Sequence, residues 1–275
     1  MHPILFEIGG FPVYTYGILL AAAYLLGLQF ALMRARTRGL DPNRVMDLGI
    51  WVIVSALVGA KLLLLIVDFD TFRSRPAELW TLLRSGGVFY GGLIAAVVVA
   101  LLYLWRYRMP VWTVTDVFAP GIALGHVIGR MGCLFAGCCF GRRTDVPWAI
   151  TFNHPAAAEF VGTPLHTPLH PTQLYEAGAE LLILGFLLLF ERRGRAFPGR
   201  TFWSYMLFYG VSRFVIEFYR GDDRGMVFNA VSTSQFISIV LAPLSLFMLW
   251  YLSRPTTTQA EPTDVSRGPR KPRIV

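Results

Sequence analysis

Among the ionisable side chains inside otherwise apolar stretches, the candidates for chemistry are Lys61, Arg130, Glu176, Glu180, Arg213 and Glu217. An arginine at mid-bilayer costs about 2.5–3.5 kcal/mol, so charges in such runs face a protein interior and have a task there. Arg213 and Glu217 stand four apart and share one helix face. Such a pair either locks two helices together or makes an anion site whose arginine is oriented by its own glutamate. The segment from Gly125 to Arg142 is denser still, with five glycines in 18 residues and Arg130 and Arg142 within it. Glycines of this kind serve close packing between membrane helices. Where the run leaves its span, exposed backbone N–H groups and the two arginines would instead make a phosphate-binding loop.

Cys133, Cys138 and Cys139 crowd into seven residues, too close for a disulfide framework spread along the chain. Their C-x4-C-C spacing lacks the C-x2-C pairing of zinc sites, even with His126 or His170 added, so no metal is expected. Packing as small apolar side chains is the expected state. A disulfide from Cys133 to one of the other two is the alternative in an oxidising compartment. A second cluster reads His170-Pro171-Thr172-Gln173-Leu174-Tyr175-Glu176. Pro171 fits the first turn of a helix, which turns Gln173 and Glu176 toward a neighbour. A third, Tyr14-Thr15-Tyr16-Gly17, reads as interfacial anchoring at the end of the first apolar run.

These side chains need a scaffold, and composition gives its class. Hydrophobic residues make up 55% of the 275, and charged residues only 15%. Soluble domains hold about 25% charged residues. Disordered chains, collagen and coiled-coil rods are excluded, and an all-α polytopic membrane protein remains. Seven stretches reach bilayer-crossing length: roughly 14–33, 46–67, 88–105, 111–130, 171–190, 201–219 and 231–252. The fourth is the weakest, with Asp116, Pro120, three glycines, His126 and Arg130. No internal repeat is visible.

The net charge of +8 is not a nucleic-acid surface, because the basic residues sit in short runs between apolar stretches. Fifteen lie on one set of connections and the tail, including Arg34, Arg106, Arg192 and Lys271; seven lie on the other, including Arg73, Arg142 and Arg220. The positive-inside rule therefore places the N-terminus outside and the C-terminus in the cytoplasm. Residues 1–253 are expected to form the membrane domain and 254–275 a disordered cytoplasmic tail. Residues 68–87, with Asp68, Glu78 and Trp80, read as an amphipathic surface segment. Residues 140–170, with four prolines, read as an ordered extracytoplasmic arm. No cleavable signal peptide is expected, since no basic run precedes the first apolar stretch.

Taken together, these segments resemble the prolipoprotein diacylglyceryl transferase family, in a cysteine-containing variant of its motif. The likeness rests on Tyr14-Thr15-Tyr16-Gly17, Phe89-Tyr90-Gly91-Gly92-Leu93, Gly129-Arg130…Gly141-Arg142, the His170–Glu176 segment, and Tyr209-Gly210-Val211-Ser212-Arg213…Glu217…Arg220. It covers nearly the whole chain short of the tail. The resemblance implies transfer of a diacylglyceryl group from phosphatidylglycerol to the lipobox cysteine of a prolipoprotein signal peptide, forming a thioether, in the bacterial inner membrane. It implies no cofactor and no nucleic acid.

By the same resemblance, Arg130 and Arg213 act on the phosphate, Glu217 accompanies Arg213, and Tyr16 and Gly141 are important positions. His170, Glu176 and Arg142 contribute to substrate binding. Many members carry Asn and Glu where Cys133 and Cys138 stand, Asn at Ala136, and His at Tyr90, the position of the proposed base. Tyr90 is a poor base at neutral pH, since a phenol ionises near 10. Two other readings stand beside this one: a same-fold paralogue that binds or transfers a phospholipid group to another acceptor, and an anion transporter. The absence of a repeat counts against the transporter.

Overall fold

The structure, a computed structural model, describes residues 2–9, 11–75, 87–192, 197–222, 225–227 and 231–254. The central part of the expected surface segment, with Glu78 and Trp80, and the tail beyond 254 lie outside the described residues.

A hairpin of β1 (Ile4–Ile8) and β2 (Phe11–Tyr14) opens the chain, then α1 (Thr15–Thr37) follows directly. The helix α2 (Pro42–Val67) starts at Asp41, whose carboxylate accepts from the Asn43 N–H, with Pro42 in the first turn. Next come a short α3 (Phe69–Ser74), α4 (Phe89–Arg106) and α5 (Val111–Ala136). The expected arm carries β3 (Ile150–Thr151), α6 (Pro155–Val161) and β4 (Pro168–Leu169), with β3 and β4 paired. It is closed by a small core of Phe140, Phe152 and Leu169. Two further helices, α7 (Thr172–Glu191) and α8 (Arg200–Glu217), precede the paired β5 (Met226–Val227) and β6 (Val231–Ser232). The last helix, α9 (Thr233–Ser253), begins with a capping box between Ser232 and Gln235.

Six described helices, α1, α2, α4, α5, α7 and α9, are long and apolar enough to cross a membrane. The seventh expected span is present as α8, but it is more polar, and its Arg200, Arg213 and Glu217 are buried against neighbours. The fourth span runs to Ala136, past the expected end near 130, so Cys133 is helical. Its Asp116 has a structural use. The carboxylate accepts from the Gly199 and Phe202 N–H groups, both at 2.8 Å, and so caps the start of α8.

The helix α5 is central: it packs on α1, α7 and α8, while α2 joins α1 to α4 and α9 covers α8. Small residues set these approaches. A Cβ on Gly27 of α1 would lie 2.7 Å from the Gly121 carbonyl oxygen of α5, and Gly59 of α2 faces Gly91 of α4 in the same way. One apolar core joins Ala31, Val45, Leu104 and Val117; another joins Ala119, Ala123, Leu187 and Tyr205. At the far end of α7, Glu191 binds Arg34 at 2.5 Å, Thr201 at 2.6 Å and Arg38 at 3.2 Å.

Candidate active site

Glu176 lies in the second turn of α7 and is buried. Its Oε2 is 2.5 Å from Arg130 Nε, which α5 presents across the helix interface. Its Oε1 accepts from Arg220 at 2.7 Å and from Arg213 of α8 at 3.4 Å. Arg213 also pairs with Glu217, one turn along its own helix, at 2.6 Å, and donates to the Ser234 hydroxyl of α9 at 2.9 Å. Arg220 reaches both Asp222 oxygens, at 2.7 and 2.8 Å. Three guanidinium groups and three carboxylates thus balance in a site where an unpaired charge would cost about 3–5 kcal/mol. The expected Arg213–Glu217 pair is therefore part of a larger network that Glu176 holds together.

Two turns of chain set this geometry. The chain leaves α5 through Gly137 at φ +85, where a Cβ would lie 2.8 Å from that of Ala157. Cys139 also takes a left-handed φ of +62. Its carbonyl accepts from Thr172 Oγ1 at 2.7 Å, and that of Cys138 accepts from Gln173 Nε2 at 2.8 Å. The His170–Glu176 motif is thus a clamp: its first helical residues hold the cysteine turn, and its glutamate holds the arginines. Pro171 is the residue before the helix rather than its first turn.

Gly141 and Arg142 run between two neighbouring segments. The Gly141 N–H donates to the His170 carbonyl at 3.1 Å, and the Arg142 N–H to the Tyr219 carbonyl at 2.8 Å. A Cβ on Gly141 would collide with His170 and sit 2.8 Å from the Tyr219 carbonyl oxygen. These bonds take up part of the backbone of the expected phosphate-binding loop. The chain is helical to Ala136, and the N–H groups of Gly137, Gly141 and Arg142 are all spent within the protein. The side chains of Arg130, Arg213 and Arg220 bring positive charge to the site.

Other expected site residues take different places. Tyr16 packs its ring over Gly132, where a Cβ would approach it to 3.3 Å, and is electrostatically coupled to the three cysteines. The cysteines are thiols and form no disulfide, and their sulfurs lie within 4.8 Å of one another. The three thiols interact with one another, and Arg130 and Arg220 act on Cys139. His170 is half-buried, its Nδ1 3.1 Å from the Tyr175 hydroxyl and its ring edge-on to Tyr219. Arg142 is exposed and donates through Nε to the Arg220 carbonyl at 3.0 Å. Tyr90 lies on α4, which packs on α2, with its ring edge-on to Phe89 and 41% of its surface exposed.

Arg220 is the residue that sequence reasoning missed. It lies beyond the end of α8 and reads as a loop charge. Its signal was the run Arg213, Glu217, Arg220, Asp222, which keeps helical spacing up to the turn. A second rung joins α5 to α7 one turn from the first: His126 Nδ1 lies 2.8 Å from Glu180 Oε1 and 3.0 Å from the Tyr205 hydroxyl. On the outer face, an apolar groove of about 550 Å³ runs between α7 and α8, lined by residues such as Leu174, Gly178, Leu182 and Val215. Ser212 and Ile216 line both this groove and a small inner cavity that holds Glu176, Glu180 and Arg213.

A family model described as prolipoprotein diacylglyceryl transferase matches residues 3–251. Among similar proteins, one from Clostridium tetani, named phosphatidylglycerol–prolipoprotein diacylglyceryl transferase, is 35% identical over 90% of this chain and 96% of its own length. A protein of the same name from Synechococcus elongatus is 32% identical over 86% of this chain and 83% of its own. Another from Ruegeria pomeroyi is 36% identical over 78% and 75% respectively.

Proposed function

The chain belongs to the prolipoprotein diacylglyceryl transferase family, and we propose that it moves a diacylglyceryl group from phosphatidylglycerol to the lipobox cysteine thiol of a prolipoprotein signal peptide. The observation that carries this reading is the buried convergence of Arg130, Arg213 and Arg220 beside an apolar groove between α7 and α8. A phospholipid has that pairing of needs: cations for its phosphate and an apolar surface for its tails.

The reaction is a displacement at an sp3 carbon. The substrate sulfur forms a bond to the glyceryl carbon, the carbon–oxygen bond to phosphate breaks, and glycerol phosphate leaves with the electron pair. The phosphate passes from one negative charge toward two. Arginines already fixed by Glu176 and Glu217 meet that new charge without reorganising, which is where electrostatic catalysis gains most. A thiol ionises near 8.5, so it must lose its proton as it attacks. The departing phosphate monoester, with a second pKa of about 6, is able to carry that proton away.

The family's exported substrates require the site to face outward, so the N-terminus lies outside and the C-terminus in the cytoplasm of the bacterial inner membrane. Residues 1–253 form the transferase domain, and 254–275 the cytoplasmic tail. The test is purified protein with labelled phosphatidylglycerol and a lipobox peptide. Thioether-linked diacylglyceryl on the peptide cysteine is the expected product. Its absence, with phospholipid bound and another thiol modified or none, would favour the paralogue reading.

A further inference from the structure

The three cysteines have no role in the reaction as written above, yet the fold brings them together beside its charged groups. We propose that Cys133, Cys138 and Cys139 form a three-thiolate site for a zinc ion, and that its fourth coordination position takes the thiol of the protein substrate.

Spacing along the chain argued against a metal, because C-x4-C-C lacks the usual C-x2-C pair. The fold supplies what spacing does not. Cys133 comes from the last turn of α5, and the left-handed Gly137 and Cys139 turn the chain back on it. The result is three sulfurs within 4.8 Å of one another. Thiolates at about 2.3 Å from a tetrahedral zinc lie about 3.8 Å apart, so rotamer adjustments of about 1 Å complete the site. Thr172 and Gln173 hold the two cysteine carbonyls, so the turn is fixed from α7 while its side chains converge. Gln173 is fully buried, and its Oε1 has no hydrogen-bond partner among the described residues, which leaves an unspent acceptor at the edge of the turn. Donors such as Thr172 and Gln173, which hold the ligands' own backbone, orient a metal-ligand cluster.

Charge and position also fit. Three thiolates on Zn2+ carry a net charge of −1, which suits a neighbourhood rich in arginine. Arg130 and Cys133 are three residues apart on α5 and so share a face. The phosphate-binding cation and the proposed thiol activator thus stand on adjacent turns. Zinc with three protein ligands keeps an open position, and a thiol that enters it is deprotonated. The step balances without a redox partner. On entering the open position the substrate S–H releases its proton to water, the sulfur then bonds to the glyceryl carbon, the carbon–oxygen bond breaks with its electron pair going to the departing phosphate, and the neutral thioether leaves the metal as a weaker ligand.

The role of the fourth ligand rests on the transferase reading; metal binding by the cysteines does not. The experiment uses the full chain in phosphatidylglycerol nanodiscs, purified under reducing conditions. Elemental analysis should find one zinc per chain. Cobalt loaded in its place should show sulfur-to-cobalt charge-transfer absorption, and its ligand-field bands should shift when a lipobox peptide is added but not with the Cys→Ser peptide. Cys133→Ser, Cys138→Ser and Cys139→Ser should each lose the metal while helix content by circular dichroism is kept, and Cys138→His should retain it.

At pH 7 an unassisted thiol is about 3% ionised, so these serine variants should lose about 30-fold in transfer, with the deficit closing toward pH 9. Full transfer by metal-free protein at pH 7 would overturn the proposal and leave the transferase reading intact. A thiol titration that finds a disulfide in active enzyme would overturn it too. Metal binding and a cobalt response without thioether formation would instead retain the site and overturn the reaction.

Discussion

Replacing Glu176 by Gln removes the one carboxylate shared by Arg130, Arg213 and Arg220. The guanidinium groups then repel one another in a buried site, and we expect a loss of about 3–5 kcal/mol in stability, read as a lower melting point in nanodiscs. Arg130→Ala and Arg213→Ala should insert normally but lose about 10²–10³ in transfer rate, because each removes a donor aimed at developing charge. Glu217→Gln should cost less than Arg213→Ala, since it orients and does not itself meet the phosphate. Equal losses would show that Glu217 touches the reacting group. Tyr90→Phe should keep at least a tenth of wild-type transfer, since a phenol that ionises near 10 is a poor base at neutral pH and the ring of this half-exposed side chain meets Phe89. Much of this was readable beforehand: a charge in an apolar run is costly, and costly residues are visible. Arg220 was not, because beyond a helix end no periodicity marks which way a side chain turns.

The elements around the site act as a frame with little slack. Gly141 is held between His170 and Tyr219, both of which present backbone carbonyls to it. A methyl group there cannot be absorbed by a rotamer change. Overpacking typically costs about 1–3 kcal/mol, and here the shift also displaces Arg220, its bridge partner. Gly141→Ala should therefore lose transfer by more than its effect on melting would explain, which thermal scans and assays on one preparation would compare. The long helices were plain in the sequence because runs of some 20 apolar residues have few other uses. The hairpin β1–β2 and the pairing of β3 with β4 were not. Strands of two to five residues are fixed by what they meet in the fold rather than by their own pattern. The fourth span was read short because its glycines and Arg130 interrupt the apolar signal, while the backbone continues as helix to Ala136.

For the molecule as a whole, the bias of fifteen basic residues against seven sets the expected orientation. Fusing green fluorescent protein to the C-terminus should give fluorescent cells, and fusing alkaline phosphatase there should give inactive enzyme. The reverse pair of results would place the arginine cluster on the wrong side for exported substrates. Membership of the family, the polytopic helical class and the separate polar network are all consistent with one design. A bundle of apolar helices carries a charged cluster at the arm end and closes its other end with Glu191 and Arg34.

That closure has a mechanical side. Glu176 and Glu191 lie fifteen residues apart on α7, a rise of about 22 Å, and each is tied to other helices by arginine. A helix fastened at both ends keeps its tilt when the surrounding lipid becomes thinner or thicker. The cost of mismatch then falls on the bilayer, which must stretch or compress around the protein. The arginine cluster keeps its depth relative to its own scaffold, and a cell that shortens or lengthens its fatty acids with temperature would keep the same spacing between headgroup site and helix ends.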